Sequence, residues 1–180
     1  MELNNIESLS ELLRIKLAPS PNIQQWHREL AQAALEIKDD MDAGLDLALD
    51  LAAIMERESN GGAALSPSGP SGTGDHGHGR GLMQMDDRAH PKEIALKDKD
   101  GNPLWQKALE NIRMGRDVYV LELRRYGGVK EHAIPAYNCG AGNVNKALAQ
   151  KKDPDSFTAA GPSGHPDYGK DVLHRRAKWA

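Results

Sequence analysis

The chain has 180 residues and a formal net charge of −3 at neutral pH, which fits one domain with a substantial core. That charge offers no basic surface for nucleic acid or an anionic membrane, and no apolar run reaches the roughly 18 residues that span a bilayer. Cys139 is the only cysteine, so no intrachain disulfide can form. The first residues lack the basic and apolar regions of a signal peptide, so we expect synthesis in a reducing cytoplasm.

Helical periodicity dominates the first third of the chain. Apolar residues at positions 6, 9, 13 and 17 predict a first helix, which Pro19-Ser20-Pro21 ends. We expect Asn22 to cap a second helix that extends to about residue 37. Gly44 separates it from a third helix, roughly Leu45 to Glu58, which is so apolar that we expect it at the centre of the domain.

The pattern then changes to small residues. Residues 60–74 fit neither a helix nor a strand, and a structureless loop of this length is often functional. A tolerated surface insertion is the alternative, and the sequence does not decide between them. Residues 75–86 contain too many glycines for a helix, so they predict tight turns or a small hairpin.

Helices return in the second half of the chain. A long helix is predicted from Leu104 to Tyr126, and a shorter one from Lys130 to about Asn138. Glycines at positions 140 and 142 should break that pattern until residues 143–150 resume it, and residues 161–166 predict a loop. We expect Asp167 to cap a terminal helix. The fold class is therefore mainly α, with about seven to eight helices and a small β or turn region around residues 75–85.

Two glutamates near the end of the third helix could act as an acid. Cleavage of a glycosidic bond needs a protonated acid for the leaving oxygen, usually with a second carboxylate nearby. Glu58 fits, because apolar surroundings and the negative end of a helix both raise the pKa of a carboxyl group. Glu56 lies about as far from the polar face formed by Asp46, Asp50 and Arg57, so periodicity does not choose between the two glutamates. Either one could instead be a solvated surface residue.

The glycine-studded segment at residues 74–81 allows three interpretations. It could cradle a phosphate, but the ending of a P-loop is absent. His76 and His78 could bind a metal only if another segment supplied further ligands. The simplest interpretation is that the glycines let the backbone approach a sugar closely, while Asp75 and Asp86 face Glu58.

Three short motifs occur in a specific order and spacing. The first is Arg57-Glu58-Ser59, the second extends from Gly74 to Asp86 and continues through Arg88 and His90, and the third is residues 136–144, AYNCGAGNV. A weaker fourth match lies at residues 167–172. Together they resemble the goose-type lysozymes and, more distantly, the lysozyme-like lytic transglycosylases. The resemblance implies a lysozyme-like fold, with one catalytic domain over residues 1–180 that has a helical N-terminal part (1–43) and a catalytic core (44–180).

The resemblance also implies roles for the acidic residues. Glu58 occupies the position of the catalytic acid, which leaves Glu56 as a surface residue. Asp75 and Asp86 match two acidic positions that goose-type enzymes use to position or activate water, whereas the transglycosylases generally lack such a second acid. Both aspartates favour hydrolysis with inversion, which requires carboxyl groups roughly 6.5–9.5 Å apart. Which aspartate is the better base stays open.

Five further residues are implied as groove residues that contact N-acetylhexosamine rings or orient Glu58: Gln84, His90, Tyr137, Asn138 and Tyr168. By the same resemblance, Tyr137 could donate a hydrogen bond near the acid. The alternative for Tyr137 is a tyrosine that only packs between helices, and the alternative for His90 is an exposed residue after a turn. Cys139 replaces an alanine that is common in the motif, and we expect it to pack as a small apolar residue.

The resemblance therefore predicts a muramidase that hydrolyses the β-1,4 bond between N-acetylmuramic acid and N-acetylglucosamine in peptidoglycan, with no cofactor and no metal. Its partners would be glycan strands, and we expect a monomer that could also meet a lysozyme inhibitor or an immunity protein. A lytic transglycosylase forming 1,6-anhydromuramic products is one alternative, and a catalytically silent wall-binding protein is another. The missing signal peptide favours a phage endolysin released by a holin, with an injected antibacterial effector as the second context.

Overall fold

The structure is a computed structural model that describes residues 5–37, 44–160 and 164–180. Within these residues the chain forms nine helices: α1 (Ile6–Lys16), α2 (Pro21–Gln24), α3 (His27–Leu35), α4 (Leu45–Ser59), α5 (Pro91–Ile94), α6 (Ala108–Arg125), α7 (Lys130–Cys139), α8 (Ala141–Ala149) and α9 (Tyr168–Ala177). Three two-residue strands, β1 (Thr73–Gly74), β2 (Gly79–Arg80) and β3 (Met85–Asp86), form an antiparallel sheet in that order. The predicted class, mainly helical with a small β region, is confirmed.

Helix α4 lies at the centre of the fold, as its apolar sequence predicts. Every residue from Leu47 to Glu56 is buried, and the helix packs against α1, α2, α3, α6 and α9. Gly44 precedes the helix with a φ of 67°, and Asn60 ends it in the left-handed conformation with a φ of 50°. Asn is one of the few non-glycine residues that tolerate this conformation at a helix end. The predicted third helix is therefore confirmed at both ends.

One residue of the polar face of α4, Asp50, points into the protein. Asp50 is completely buried and accepts a hydrogen bond of 2.8 Å from the Tyr119 hydroxyl on α6. It also forms ion pairs with Lys130 of α7 at 2.7 Å and with Arg176 of α9 at 2.5 Å. A carboxylate can be buried only when it is paired and hydrogen-bonded, so this cluster ties α6, α7 and α9 to the central helix.

The predicted second helix is divided in two. Helix α2 begins at Pro21 with Ser20 in the N-cap position, so the predicted cap at Asn22 is wrong. Proline favours the first turn of a helix because it has no N–H to leave unpaired, and this places Asn22 inside that turn. Trp26 leaves the helical conformation, and its indole N–H donates to the Gly61 carbonyl at 3.0 Å. This bond fixes α2 and α3 against the segment that follows α4.

Two other predicted helix boundaries lie elsewhere. The helix predicted from Leu104 is interrupted at Lys107, which is extended and pairs with Asp98 at 2.7 Å, so only a 3-10 turn precedes α6. Only Gly140, with a φ of 80°, separates α7 from α8, and the helix resumes at Ala141 rather than at residue 143. Gly142 lies inside α8, so only the first of the two glycines interrupts the helical pattern. In the described ranges no helix is both long enough and apolar enough to cross a membrane.

Residues 60–74 form a series of hydrogen-bonded turns rather than a structureless loop. The Gly69 amide donates to the Gly62 carbonyl at 3.0 Å, and the Thr73 amide donates to the Ser66 carbonyl at 3.1 Å. Thr73 and Gly74 form β1, so the expectation of no strand in this stretch is wrong at its end. The predicted loop at residues 161–166 lies partly outside the described residues, and Pro166 pairs with Ala160 in a β-bridge.

Candidate active site

An open groove of about 980 Å³ lies between the end of α4, the small sheet and the helices α6 and α7. Seven of the residues that the sequence singled out line this groove: Glu58, Asp75, Gln84, Asp86, His90, Tyr137 and Asn138. The eighth, Tyr168, is buried and hydrogen-bonded to Glu58. The three motifs, which are distant in the sequence, therefore converge on one surface.

Ser59 attaches the end of α4 to the sheet. Its hydroxyl donates to the Leu82 carbonyl at 2.6 Å and accepts a hydrogen bond from the Gly62 amide at 3.1 Å. From α6, the Asn111 side chain accepts from the Met83 amide at 2.8 Å. These buried hydrogen bonds fix Glu58, the residue before Ser59, relative to the glycine-rich segment.

Glu58 combines enclosure with one short hydrogen bond. Its side chain is partly buried and opens onto the groove, and the Tyr168 hydroxyl donates to its Oε1 at 2.5 Å. Burial raises the pKa of Glu58 to about 7, although the Tyr168 hydrogen bond and the charge of Arg57 act in the opposite direction. A carboxyl group with this pKa is partly protonated near neutral pH, which is the requirement for a general acid.

Tyr168 is held in place by groups that the sequence analysis did not identify. It begins α9, and the buried Asp155 carboxylate accepts hydrogen bonds from the next two backbone amides at 2.7 and 3.1 Å. The Thr158 hydroxyl accepts from the Tyr168 amide at 3.3 Å. Asp167 stands in the N-cap position but its side chain makes no capping hydrogen bond, so the expectation that it caps the helix is wrong. Asp155 performs that function from a separate segment.

Arg57 lies over the ring of Tyr168. Its guanidinium carbon is 5.4 Å from the centre of the Tyr168 ring, and its Nε is 3.0 Å from Asp171. A cation over an aromatic face is attracted to the ring, so Arg57 and Asp171 hold the ring that supports Glu58. The arginine and serine beside Glu58 thus both stabilise the geometry of the acid.

Glu56 lies on a different side of α4 from the groove. It is 9% exposed, accepts a hydrogen bond from the Ser20 hydroxyl at 2.8 Å, and pairs with Arg175 and Lys178 at 3.4 Å each. The expectation of a surface glutamate is therefore wrong, because two cations of the C-terminal segment cover it. Of the two glutamates that periodicity left open, only Glu58 lines the groove.

Asp75 and Asp86 are connected by one arginine. Arg88 Nη2 lies 2.9 Å from Asp75 Oδ2, and Arg88 Nε donates to Asp86 Oδ1 at 3.0 Å. The Arg88 hydrogen bonds hold the pKa of Asp86 well below its usual range, so Asp86 stays ionised at any pH at which the protein would act. The sequence placed Arg88 in a motif without giving it a role, although its position two residues after Asp86 was a usable signal.

The glycines of the sheet accommodate protein side chains. A Cβ atom at Gly74 or Gly79 would lie 2.2 Å from Oε1 of Gln84, and one at Gly81 would lie 2.5 Å from the Asn111 side chain. These contacts within the protein require glycine at the three positions, and the interpretation that the glycines also let a sugar approach stays a prediction. They let the Gln84 side chain cross the sheet, where its amide donates to the Gly81 carbonyl at 2.8 Å.

The remaining predicted residues bond to the backbone within the groove. The Tyr137 hydroxyl donates to the Met83 carbonyl at 2.8 Å, so the hydrogen bond to the acid comes from Tyr168 and not from Tyr137. Burial, with a smaller effect from the charge of Glu58, raises the pKa of Tyr137. Asn138 Oδ1 accepts from the Ala159 amide at 2.8 Å. Both side chains therefore line the groove and also hold backbone segments of its wall in place.

Several lining residues had no signal in the sequence. Phe157 and Glu122 reach the groove from a 3-10 turn and from α6. Cys139, which belongs to the third motif, lines it as well, and burial raises the pKa of its thiol to about 11.

His78, one of the two histidines considered as metal ligands, pairs with Asp87 at 2.9 Å. In the part of the chain that the structure describes, no group of three or more His, Cys, Asp or Glu side chains could hold a metal ion.

A helical fold with a small antiparallel sheet, and a groove lined by two aspartates and by an enclosed glutamate at the end of a central helix, is typical of a lysozyme-like protein. The chain matches the Transglycosylase SLT domain family over residues 41–159 and belongs to that family.

Lysozymes of the G type are among its relatives. The chain is 32% identical over 129 residues to Lysozyme G of Dromaius novaehollandiae, covering 69% of this chain and 54% of that protein. It is 31% identical over 129 residues to Lysozyme g of Casuarius casuarius, covering 69% and 60%. It is 31% identical over 161 residues to Lysozyme g of Struthio camelus, covering 82% and 70%. The chain thus spans little more than half the length of the first two relatives, and the resemblance to goose-type lysozymes is confirmed.

Proposed function

We propose that this protein is a muramidase that hydrolyses the β-1,4 bond between N-acetylmuramic acid and N-acetylglucosamine in peptidoglycan. The observation that carries the proposal is Glu58, whose enclosed carboxyl group has a pKa of about 7 and opens onto the groove. Its family, and relatives that are named lysozymes, support the same substrate class. No step in this reaction requires a cofactor.

The first step is proton donation. Protonated Glu58 gives its proton to the glycosidic oxygen while the bond from that oxygen to the sugar carbon breaks, and the bonding electrons leave with the oxygen. The Tyr168 hydroxyl, already 2.5 Å from Oε1, stabilises the carboxylate that forms. The sugar becomes cationic as the bond breaks, and the carboxyl groups of Asp75 and Asp86, which line the same groove, stabilise that charge.

The second step is addition of water. Asp75 and Asp86 line the same groove as Glu58, and Arg88 holds both carboxylates. This arrangement supports hydrolysis with inversion, in which a carboxylate receives the proton of a water that attacks the opposite face of the sugar. Because Arg88 lowers the pKa of Asp86, that carboxylate is a weak base, and its part in our proposal is to orient the water and stabilise charge. The carboxylate of Asp75, which lines the same groove, then receives the proton of the water as its oxygen bonds to the sugar carbon.

Products formed in heavy-oxygen water test this proposal. Peptidoglycan would be digested with the protein, and with Glu58→Gln as a control, before mass spectrometry of the fragments. Hydrolysis predicts reducing ends that carry one heavy oxygen atom, and no fragments with the control. Products dominated by 1,6-anhydromuramic ends would instead show a lytic transglycosylase, the activity named by the family. Wall binding without any fragments would show a catalytically silent protein.

We also propose that the protein acts as a monomer and reaches the wall from the cytoplasm, either as a holin-released endolysin or as an injected effector that meets an immunity protein. A single cysteine in 180 residues supports folding in a reducing compartment. Expression in the cytoplasm should then lyse cells only when a holin is co-expressed. Lysis without the holin would contradict this route.

A further inference from the structure

A second groove, of about 430 Å³, continues from the first. His90 and Val118 line both, so they form the boundary across which the two grooves meet. Helix α5 and the residues after it form one wall, and α6 forms the other. The structure exposes five large hydrophobic side chains among its described residues, and two of them line this groove: Leu96 is 51% exposed and Leu121 is 55% exposed.

The two grooves differ in chemistry. Tyr137 and Phe157 provide aromatic rings in the first groove, which suit the apolar faces of sugar rings. Among the described residues that line the second groove there is no Phe, Tyr or Trp, and its apolar side chains are Leu, Met and Val. Aliphatic walls of this kind fit small alkyl side chains better than they fit pyranose rings.

The charges in the second groove leave one carboxylate available. Arg113 pairs with Glu110 at 2.5 Å, and Arg116 pairs with Asp117 at 2.8 Å. Both arginines also bond to Glu36, which lies outside the lining. Glu93 is exposed at the edge of the groove, and no described residue forms an ion pair with it. The groove therefore combines an apolar wall with a negative charge that suits an ammonium group.

We propose that the second groove binds the peptide stem of an N-acetylmuramic acid unit whose sugar lies in the first groove. This inference rests on the proposed function, because it takes peptidoglycan as the substrate. In peptidoglycan the muramic acid carries its peptide on a lactyl ether that branches sideways from the glycan strand, so a stem site must open from the glycan groove. Leu96 and Leu121 contact the alanine methyl groups of the stem, and Glu93 pairs with the free ammonium of its diamino acid.

Affinity measurements with soluble fragments test the inference without turnover. Two tetrasaccharides of the glycan strand would be compared by calorimetry against the full chain carrying Glu58→Gln. One retains its uncrosslinked peptide stems, and the other has been stripped of them by an amidase. We expect the peptide-bearing fragment to bind about tenfold more tightly. Leu121→Asn or Glu93→Gln, each added to that chain, should remove at least about threefold of this preference while affinity for the stripped fragment stays unchanged.

A matched control is available outside both grooves. Ile15 on α1 is 59% exposed and lines neither groove, so Ile15→Asn should leave the preference unchanged. Acetylation of the free amino group of the diamino acid should abolish the effect of Glu93→Gln, and it should leave the effect of Leu121→Asn unchanged.

Each combined outcome separates the stem site from the activity. Equal affinity for the two fragments would overturn the inference, as would Leu121→Asn weakening both fragments equally, since the groove would then be an extension of the glycan site. If the wild-type chain produced no cleavage but the preference were present and sensitive to Leu121→Asn, the proposed function would fail and the stem site would stand. If the wild-type chain cleaved strands but the two fragments bound equally, the stem site would fail and the proposed function would stand.

Discussion

Replacing Tyr168 with phenylalanine should raise the pKa of Glu58. The substitution removes the hydroxyl that donates to Oε1 at 2.5 Å and leaves the buried ring in its site beside Arg57. That hydrogen bond favours the carboxylate form and so opposes the burial that raises the pKa to about 7. A hydrogen bond to a charged group contributes about 1.5–3 kcal/mol, and one pKa unit corresponds to about 1.4 kcal/mol. The pKa of Glu58 should therefore rise by about one to two units.

The dependence of kcat on pH measures this change. Activity requires protonated Glu58, so it is lost as the pH rises through the pKa of that residue. In Tyr168→Phe the loss at alkaline pH should move upward by about one to two units, while the maximal rate falls because the carboxylate formed in the reaction loses its donor. Tyr137→Phe is the matched control, because that hydroxyl donates to the Met83 carbonyl. An unchanged alkaline limb in Tyr168→Phe, or an equal shift in Tyr137→Phe, would refute the reasoning.

Three further predictions concern stability. The raised pKa of Glu58 means that the folded state binds the proton more tightly than the unfolded state. The free energy of unfolding in urea should therefore fall by up to about 3 kcal/mol from pH 4.5 to pH 8. Glu58→Gln should lack this decrease, and an equal decrease in Glu58→Gln would contradict the prediction. Asp155→Ala should cost about 1–3 kcal/mol and lower the Tm seen by circular dichroism, because the first amides of α9 lose their acceptor; an unchanged Tm would argue against that capping role. Gly79→Ala should cost about 1–3 kcal/mol by displacing Gln84 and much less in a Gln84→Gly background, whereas equal costs would exclude the contact.

Much of the helical framework could be predicted because its signals are local. The apolar run after Gly44 marks α4 at both ends, and the glycine-rich segment excludes an α-helix between Gly74 and Asp86, where only a 3-10 turn forms at Asp75–Gly77. Boundaries were wrong where a nearby group competes with periodicity. Pro21 moves a helix start ahead of Asn22, and Lys107 leaves the helix to pair with Asp98.

The site was only partly predictable, because its supporting contacts join distant segments. Nothing near Tyr168 in the sequence shows that Asp155 accepts the hydrogen bonds of its helix. Helical periodicity placed Glu56 and Glu58 on either side of the polar face and about equally far from it, and the cations that cover Glu56 come from the far end of the chain. The motifs selected Glu58 correctly as the glutamate that faces the groove, but Tyr168, not Tyr137, supplies its hydrogen bond.

The central claim is that Glu58 is the acid, and a comparison of two substitutions on the same helix tests it most directly. Initial rates of peptidoglycan solubilisation would be measured for the wild-type chain, Glu58→Gln and Glu56→Gln, with the folded fraction of each determined by circular dichroism. Loss of a general acid lowers rates by about 100- to 10,000-fold, so Glu58→Gln should lose activity to that extent while remaining folded. Glu56→Gln should keep turnover per folded molecule, because Glu56 pairs with Arg175 and Lys178 outside the groove. A folded Glu58→Gln protein with activity near that of the wild type would contradict the assignment.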